Sequence, residues 1–220
     1  QSEISLVNTL NLKMSDPDFF SAVIANQILG GDFNSYLNMN LREQHAWTYG
    51  ASSNIGSGKY ITKFRASSAV RNAVTDSAVV EFVKEIKRIR TEKVADDVLK
   101  NVKAGYIGRF VMQVEKPQTV ARYALNIETE KLPADFYEKY IQTINNVTPD
   151  DIYRVANKYF LLDHMRIVIA GKGSEVLAGL EKLQIPIYYF DKYGNAIDKP
   201  VSKKEAPAGV TAQTVFQNYI

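Results

Sequence analysis

A chain of 220 residues, 45% apolar and 23% charged, can bury a full core as one large domain, alone or with a tail. Its net charge of +3 comes from 27 basic and 24 acidic residues that alternate, as in VEFVKEIKRIRTEK, so nothing marks a nucleic-acid surface. The absence of cysteine excludes disulfides, thiolate catalysis and cysteine zinc sites, and no apolar run approaches the roughly 20 residues of a membrane span.

In chain order, residues 2–14 (SEISLVNTLNLKM) alternate around Ile4, Leu6, Leu10 and Leu12 and read as a strand. Ser15-Asp16-Pro17-Asp18 opens a helix, with Ser15 or Asp16 as cap and Pro17 at the first helical position. That helix runs to Leu29 with Phe20, Val23, Ile24, Gln27 and Ile28 on its apolar stripe, and Gly30-Gly31 reads as its left-handed C-cap. Ser35 then caps a short helix that carries Arg42 near its C-terminal end. From Trp47 the period becomes two, so Trp47, Tyr49, Ala51, Ser53 and Ile55 are expected on one strand face. Gly56-Ser57-Gly58 turns the chain into an antiparallel strand from Tyr60 to Ser68.

A run of helices follows. Val74, Ala78, Phe82, Ile86 and Ile89 mark the first, and residues 95–113 the second, where Gly105 and Gly108 suggest close packing. Lys116-Pro117 begins a third through Val120, Ala124 and Ile127, and Leu132-Pro133 a fourth carrying Phe136, Tyr140, Ile141 and Ile144. Thr148-Pro149-Asp150-Asp151 caps a fifth. The β-branched run MRIVIAG, residues 165–171, reads as a central strand. A helix over 175–183 and a strand-turn segment over 185–197 precede a Lys-, Pro- and Ala-rich end. The order predicts an α+β fold, an antiparallel sheet covered on one side by several helices in a two-layer sandwich. The expected division is a domain over 1–195 and a tail or linker over 196–220.

The inventory of chemistry is short. His45 and His164 have no His or carboxylate at ligand spacing, and neither H-x-x-E-H nor H-E-x-x-H occurs. No G-x-S-x-G, phosphate loop or dinucleotide fingerprint is present, and GSGK at 56–59 falls in a hairpin turn. The start at Gln1 reads as a processed form or an excised fragment, and the lack of cysteine fits export.

The succession of a strand, a D-P-D helix, LGG, an S-x-L…LRE helix and a W-T-Y-G strand resembles the non-catalytic, C-terminal-type domain of the pitrilysin/insulinase family of zinc peptidases. That group includes the mitochondrial processing peptidases and the core proteins of the cytochrome bc1 complex. The resemblance covers roughly residues 2–195, and the ending IPIYYFDKYGN is similar to the close of bacterial members. It implies a domain without catalytic or metal residues of its own, and a partner domain or subunit that bears the H-x-x-E-H zinc site. It also implies that an Arg and a Tyr seven positions apart face the substrate peptide. Arg42 and Tyr49, in LREQHAWTYG, have that spacing.

The chemistry of such a pair is general. Negative charge develops on the carbonyl oxygen during amide hydrolysis, and a phenol or guanidinium aimed there stabilises the transition state more than the ground state. The plain alternative pairs Arg42 with Glu43 or Asp32 and leaves Tyr49 as a packing aromatic. The resemblance therefore implies part of a zinc metalloendopeptidase that closes the substrate chamber and positions peptide through Arg42 and Tyr49. Two competing expectations are an assembly protein like the bc1 core proteins, without proteolysis, and a stand-alone peptide-binding module.

Overall fold

Alternating apolar residues make the first segment the spine of a four-stranded sheet. In the computed structural model, which describes residues 1–56, 60–200 and 211–217, β1 (Ser2–Leu10) pairs antiparallel on one side with β3 (Thr62–Val70) and on the other with β4 (Arg166–Ala170). β2 (Ala51–Ile55) pairs antiparallel with the far side of β3, so the order is β2-β3-β1-β4. The register sets Ile4 opposite Ile169 and Ser68, and Ala51 opposite Ser68. The expected α+β sandwich is thus present. Residues 57–59, where the glycine turn was expected, lie outside the described residues.

One face of the sheet is apolar and covered. Ile4, Leu6, Phe64 and Ala66 are fully buried beneath α1 (Phe19–Asn26), α3 (Thr75–Thr91) and α7 (Pro149–Tyr159). Ile24, Phe82, Ile86 and Phe160 fill the layer between, with the rings of Phe64 and Phe160 4.6 Å apart. Each such side chain contributes about 1.5–3 kcal/mol by leaving water. The other face stays polar and exposed through Glu3, Ser52, Asn54, Lys63 and Arg65.

Polar side chains lock this layer. Asn8, the one inward polar residue in the middle of β1, donates to the carbonyl of Tyr159 at 3.0 Å, tying the strand to the end of α7. At the start of α7, Thr148 and Asp151 form a reciprocal capping box with Pro149 at the first helical position, as the sequence predicts. The helix expected to open at Pro17 begins at Phe19, and the acid at its start, Asp18, is tied to α7. It precedes α1, and its carboxylate accepts from Arg154 Nη1 (2.5 Å), Lys158 Nζ (2.7 Å) and Tyr159 OH (3.0 Å). Burial pushes its pKa up, but these hydrogen bonds outweigh burial and bring it down to about 2.

Three further helices form an arm. α4 (Asp96–Val114) and α5 (Pro117–Thr129) bury only Leu99 and Thr119. α6 (Tyr140–Asn145) is shorter than the stripe from Leu132 suggested, because residues 134–139 form turns. Rings hold the arm: Tyr140 stacks on Phe110 at 4.1 Å and meets Phe20 edge-on at 4.9 Å, and Tyr123 stacks on Tyr137 at 3.9 Å. Tyr140 also donates to Tyr106 Oη at 3.0 Å, and burial raises both phenol pKa values.

Three expectations change here. β4 is an edge strand rather than a central one: Arg166, Val168 and Ala170 are exposed and Ile167 and Ile169 are half-buried. Gly108 has nothing within 4 Å of an added Cβ and Gly105 only the tip of Arg109, so neither marks close packing. Val120 and Ala124 of α5 are exposed and Ile127 is half-buried, so the apolar positions that mark this helix are not covered as a stripe.

These elements belong to a compact unit of residues 1–171; residues 172–220 form a second. In the second, α8 (Gly173–Glu181) buries Val176 and Leu180. β5 (Tyr189–Phe190) and β6 (Ala196–Ile197) form a two-residue ladder within the expected strand-turn segment over 185–197. Their turn is built by Asp191, whose carboxylate accepts from the backbone N–H groups of Tyr193 (2.8 Å) and Asn195 (2.9 Å), with Gly194 at φ +84°. A final helix, α9, spans Ala212–Gln217.

Candidate functional site

Two widened helical turns lead into a chain reversal, with Arg42 in the second turn and Tyr49 in the reversal. α1 continues into a π-helical turn over Gln27–Gly31, and the short α2 (Tyr36–Asn38) continues into another over Met39–Gln44. The second turn ends with Ala46 N–H donating to the Arg42 carbonyl (3.0 Å) and Trp47 N–H to the Leu41 carbonyl (3.0 Å). Ala46 itself sits at φ +52°, a left-handed position that usually takes Gly. Because the reversal occupies 46–50, β2 starts only at Ala51. Trp47 and Tyr49 are therefore not on a strand face; Trp47 stacks on His45 at 4.0 Å, and Tyr49 is 92% exposed.

Gly30 and Gly31 also serve a purpose other than the expected left-handed cap, for neither has a positive φ. A Cβ on Gly30 would lie 2.5 Å from Ser53 Oγ and closer still to the Ser53 backbone nitrogen, so glycine lets the first π turn press against β2. A Cβ on Gly31 would lie 2.8 Å from Gln27 Nε2. Three buried asparagines clip the same pieces together. Asn26 exchanges hydrogen bonds with Ser53, donating to its carbonyl (3.2 Å) and accepting from its hydroxyl (2.8 Å). Asn38 donates to the Phe33 carbonyl (2.8 Å) and accepts from Ala51 N–H (3.2 Å), joining the loop before α2 to the first residue of β2. Asn40 donates to Glu81 and Glu85, both at 2.7 Å, fixing the second π turn to α3. Burial pushes the Glu81 carboxyl up, but its bonds to Asn40 and Lys84 bring it below its usual value.

The result is an open depression of about 490 Å³. Gly30, Gly31, Phe33, Asn38, Arg42, Tyr49 and Gly50 line it, together with Asp32 and Arg109. Both sequence-predicted residues therefore border one hollow. Arg42 lies over the Phe33 ring at 4.6 Å from its centre, and its nearest carboxylate is Glu43, with Nε and Oε1 3.5 Å apart. Asp32, the other acid weighed for Arg42, is instead paired with Arg109 of α4 at 3.0 Å, and Arg109 Nη2 donates to Gln27 Oε1 at 2.9 Å. Arg109 is the lining residue that sequence reading missed; nothing in its local pattern distinguishes it from a solvated helix cation. The asparagines did carry a signal, since Asn inside a helix is locally disfavoured and is retained there for a side-chain partner.

A slightly larger hollow, about 540 Å³, lies between α4 and the α6–α7 link, where Lys103 Nζ donates to the Asn145 carbonyl at 2.8 Å. It contains none of the sequence-predicted site residues. His164 is exposed at the end of a 3-10 turn over Leu162–His164. Among the described residues no group of three or more His, Asp or Glu side chains is placed to hold a metal ion, and no helix is long and apolar enough to cross a membrane.

Comparison with known proteins gives a consistent picture. Residues 1–106 match the family model described as the peptidase M16 inactive domain. No curated protein sequence matches the chain. Among solved structures it is similar to a peptidase M16 inactive domain from Pseudomonas fluorescens, with TM-score 0.71 and 22% identity over 78% of this chain and 41% of that one. It is similar to an inactive peptidase domain from Bordetella parapertussis, with TM-score 0.66 and 13% identity over 77% of this chain and 92% of that one. A chain of complex III2 from Candida albicans matches with TM-score 0.64 and 11% identity over 83% of this chain and 46% of that one. The chain thus spans less than half the length of the Pseudomonas protein, and identities this low speak for a shared fold.

Proposed function

We propose that this domain, whose residues 1–106 match the family model of the peptidase M16 inactive domain, holds peptide beside a zinc site on a catalytic partner. The description of the matched family as an inactive domain supports a catalytic partner that bears the zinc. In this reading the domain closes one side of the substrate chamber. Arg42 grips a peptide carbonyl or side chain, and the Tyr49 hydroxyl donates toward the oxygen on which charge develops. Zinc, when bound in the partner, supplies carbonyl polarisation and an activated water.

The observation that supports this most is the state of the two side chains in the depression. Arg42 lies over the Phe33 ring, and its ion pair with Glu43, at 3.5 Å, is too long to be a tight carboxylate pair. Tyr49 is exposed at 92% and has no packing role that would account for it. The experiment is zinc-dependent cleavage of an unstructured peptide library by the domain together with its H-x-x-E-H partner. Arg42→Ala and Tyr49→Phe are each expected to lower kcat by tenfold or more, about 1.4 kcal/mol of transition-state binding. Unchanged cleavage with both substitutions would reduce the domain to a wall.

The likeness to a complex III2 chain supports a second reading, a purely structural assembly role in the same fold. That reading predicts association of the two halves without cleavage of any peptide.

A further inference from the structure

We infer that the depression prefers a peptide bearing a carboxylate, with Arg109 acting as a second guanidinium in the same hollow as Arg42 and Asp32 tempering Arg109. This rests on the peptide-holding reading above and adds a ligand class to it. Arg109 comes from α4, an element that carries neither predicted site residue, yet it lines the same hollow. Asp32 and Gln27 fix its guanidinium, while 43% of the side chain remains exposed, so it is both held in place and reachable. Arg42 is 35% exposed and, among the described residues, its one ionic partner is Glu43 at 3.5 Å, beyond the reach of a strong charge-assisted hydrogen bond.

The two guanidinium groups that line the hollow face one lining carboxylate, Asp32, while Glu43 sits against Arg42 from outside the lining. A planar guanidinium with spare donors pairs with a carboxylate through two parallel bonds, which no amide or hydroxyl on the peptide reproduces. A Lys or Arg side chain entering the hollow would meet like charge. The carboxylate can come from a Glu or Asp side chain or from the peptide's C-terminus; the chemistry at Arg42 and Arg109 is the same. Because the lining is partly exposed, the preference is modest, about two- to fivefold at low salt, and shrinks as salt screens it.

The test titrates the 220-residue chain into three short, dye-labelled, unstructured peptides and reads anisotropy at low and high salt. One peptide carries two Glu and an amidated C-terminus, the second has Gln in their place, and the third is the Gln peptide with a free C-terminus. Tighter binding of the Glu peptide than of its Gln counterpart is expected. Arg109→Gln narrows that ratio and Asp32→Asn widens it; two effects of opposite sign cannot both come from loss of fold. A gain confined to the free-acid peptide identifies the C-terminal carboxylate as the group recognised. Equal binding of all three peptides, or a ratio that ignores Arg109→Gln, overturns the carboxylate preference. If that equal binding still weakens with Arg42→Ala, the peptide-holding reading stands alone, whereas no binding of any peptide ends both.

Discussion

The layer beneath the sheet and the α4–α5 arm are both helical, yet they are held by different forces. α3 buries seven residues, Thr75, Ala78, Val79, Phe82, Glu85, Ile86 and Ile89, because its stripe faces the sheet. α4 and α5, with nearly twice its length between them, bury one residue each and rely on ring stacking around Tyr140 and on Arg109. Ring pairs of this kind contribute about 0.5–1.5 kcal/mol each beyond their buried area, less than a fully buried core side chain. An amphipathic stripe therefore announces a helix but not how deeply it will be covered; that depends on what the rest of the chain brings against it.

This contrast can be broken at its widest point first. Phe82→Ala is expected to cost about 3–5 kcal/mol in urea unfolding, while Leu125→Ala, on the exposed side of the arm, stays within about 0.5 kcal/mol. Comparable losses would erase the distinction. Next comes Gly30→Ala, which drives a methyl into Ser53 and should cost about 1–3 kcal/mol. A melting temperature equal to that of the wild type would show that the first π turn can shift away from β2.

Acid separates the regions further. The Asp18 pKa is lowered on folding, from 3.8 to about 2, so the fold favours the ionised carboxylate. Its contribution is full above pH 3.8 and is lost as pH falls through about 2, a change of about 2 kcal/mol. Asp18→Asn should remove this part of the acid dependence, as read by urea midpoints across that window; an unaltered profile would mean that other carboxylates carry it. The smallest effect is Gly108→Ala in the arm. With only open space around the added Cβ, it should stabilise by about 0.5–1 kcal/mol through helix propensity. A loss in hydrogen-exchange protection of α4 would reveal a neighbour pressed against that face.

Much of the layer beneath the sheet was legible from local pattern. Alternation marked β1, the spacing of Ala78, Phe82, Ile86 and Ile89 marked α3, and Thr148-Pro149-Asp150-Asp151 marked the start of α7, because each is decided within a few neighbouring residues. The position of β4 was not legible: a β-branched run suits a central strand, but its place at the edge follows from which strands pair, a non-local outcome. The candidate site divides the same way. Arg42 and Tyr49 came from the family resemblance, although Tyr49 reaches the hollow from a loop and not from a strand. Arg109 and Asp32 are 77 positions apart, and no local period announces that they meet.

The two π turns bear on how this chain can gain or lose residues. Relative to an ordinary α turn, each holds one residue more, and one residue corresponds to about 100° of rotation around a helix axis. Removing a single residue from Met39–Gln44 would let the segment wind as plain α-helix while swinging everything after the deletion to another side. Two turns that look like ordinary helix in an alignment are thus the places where a one-residue gap changes phase, and with it which side chains meet across the hollow.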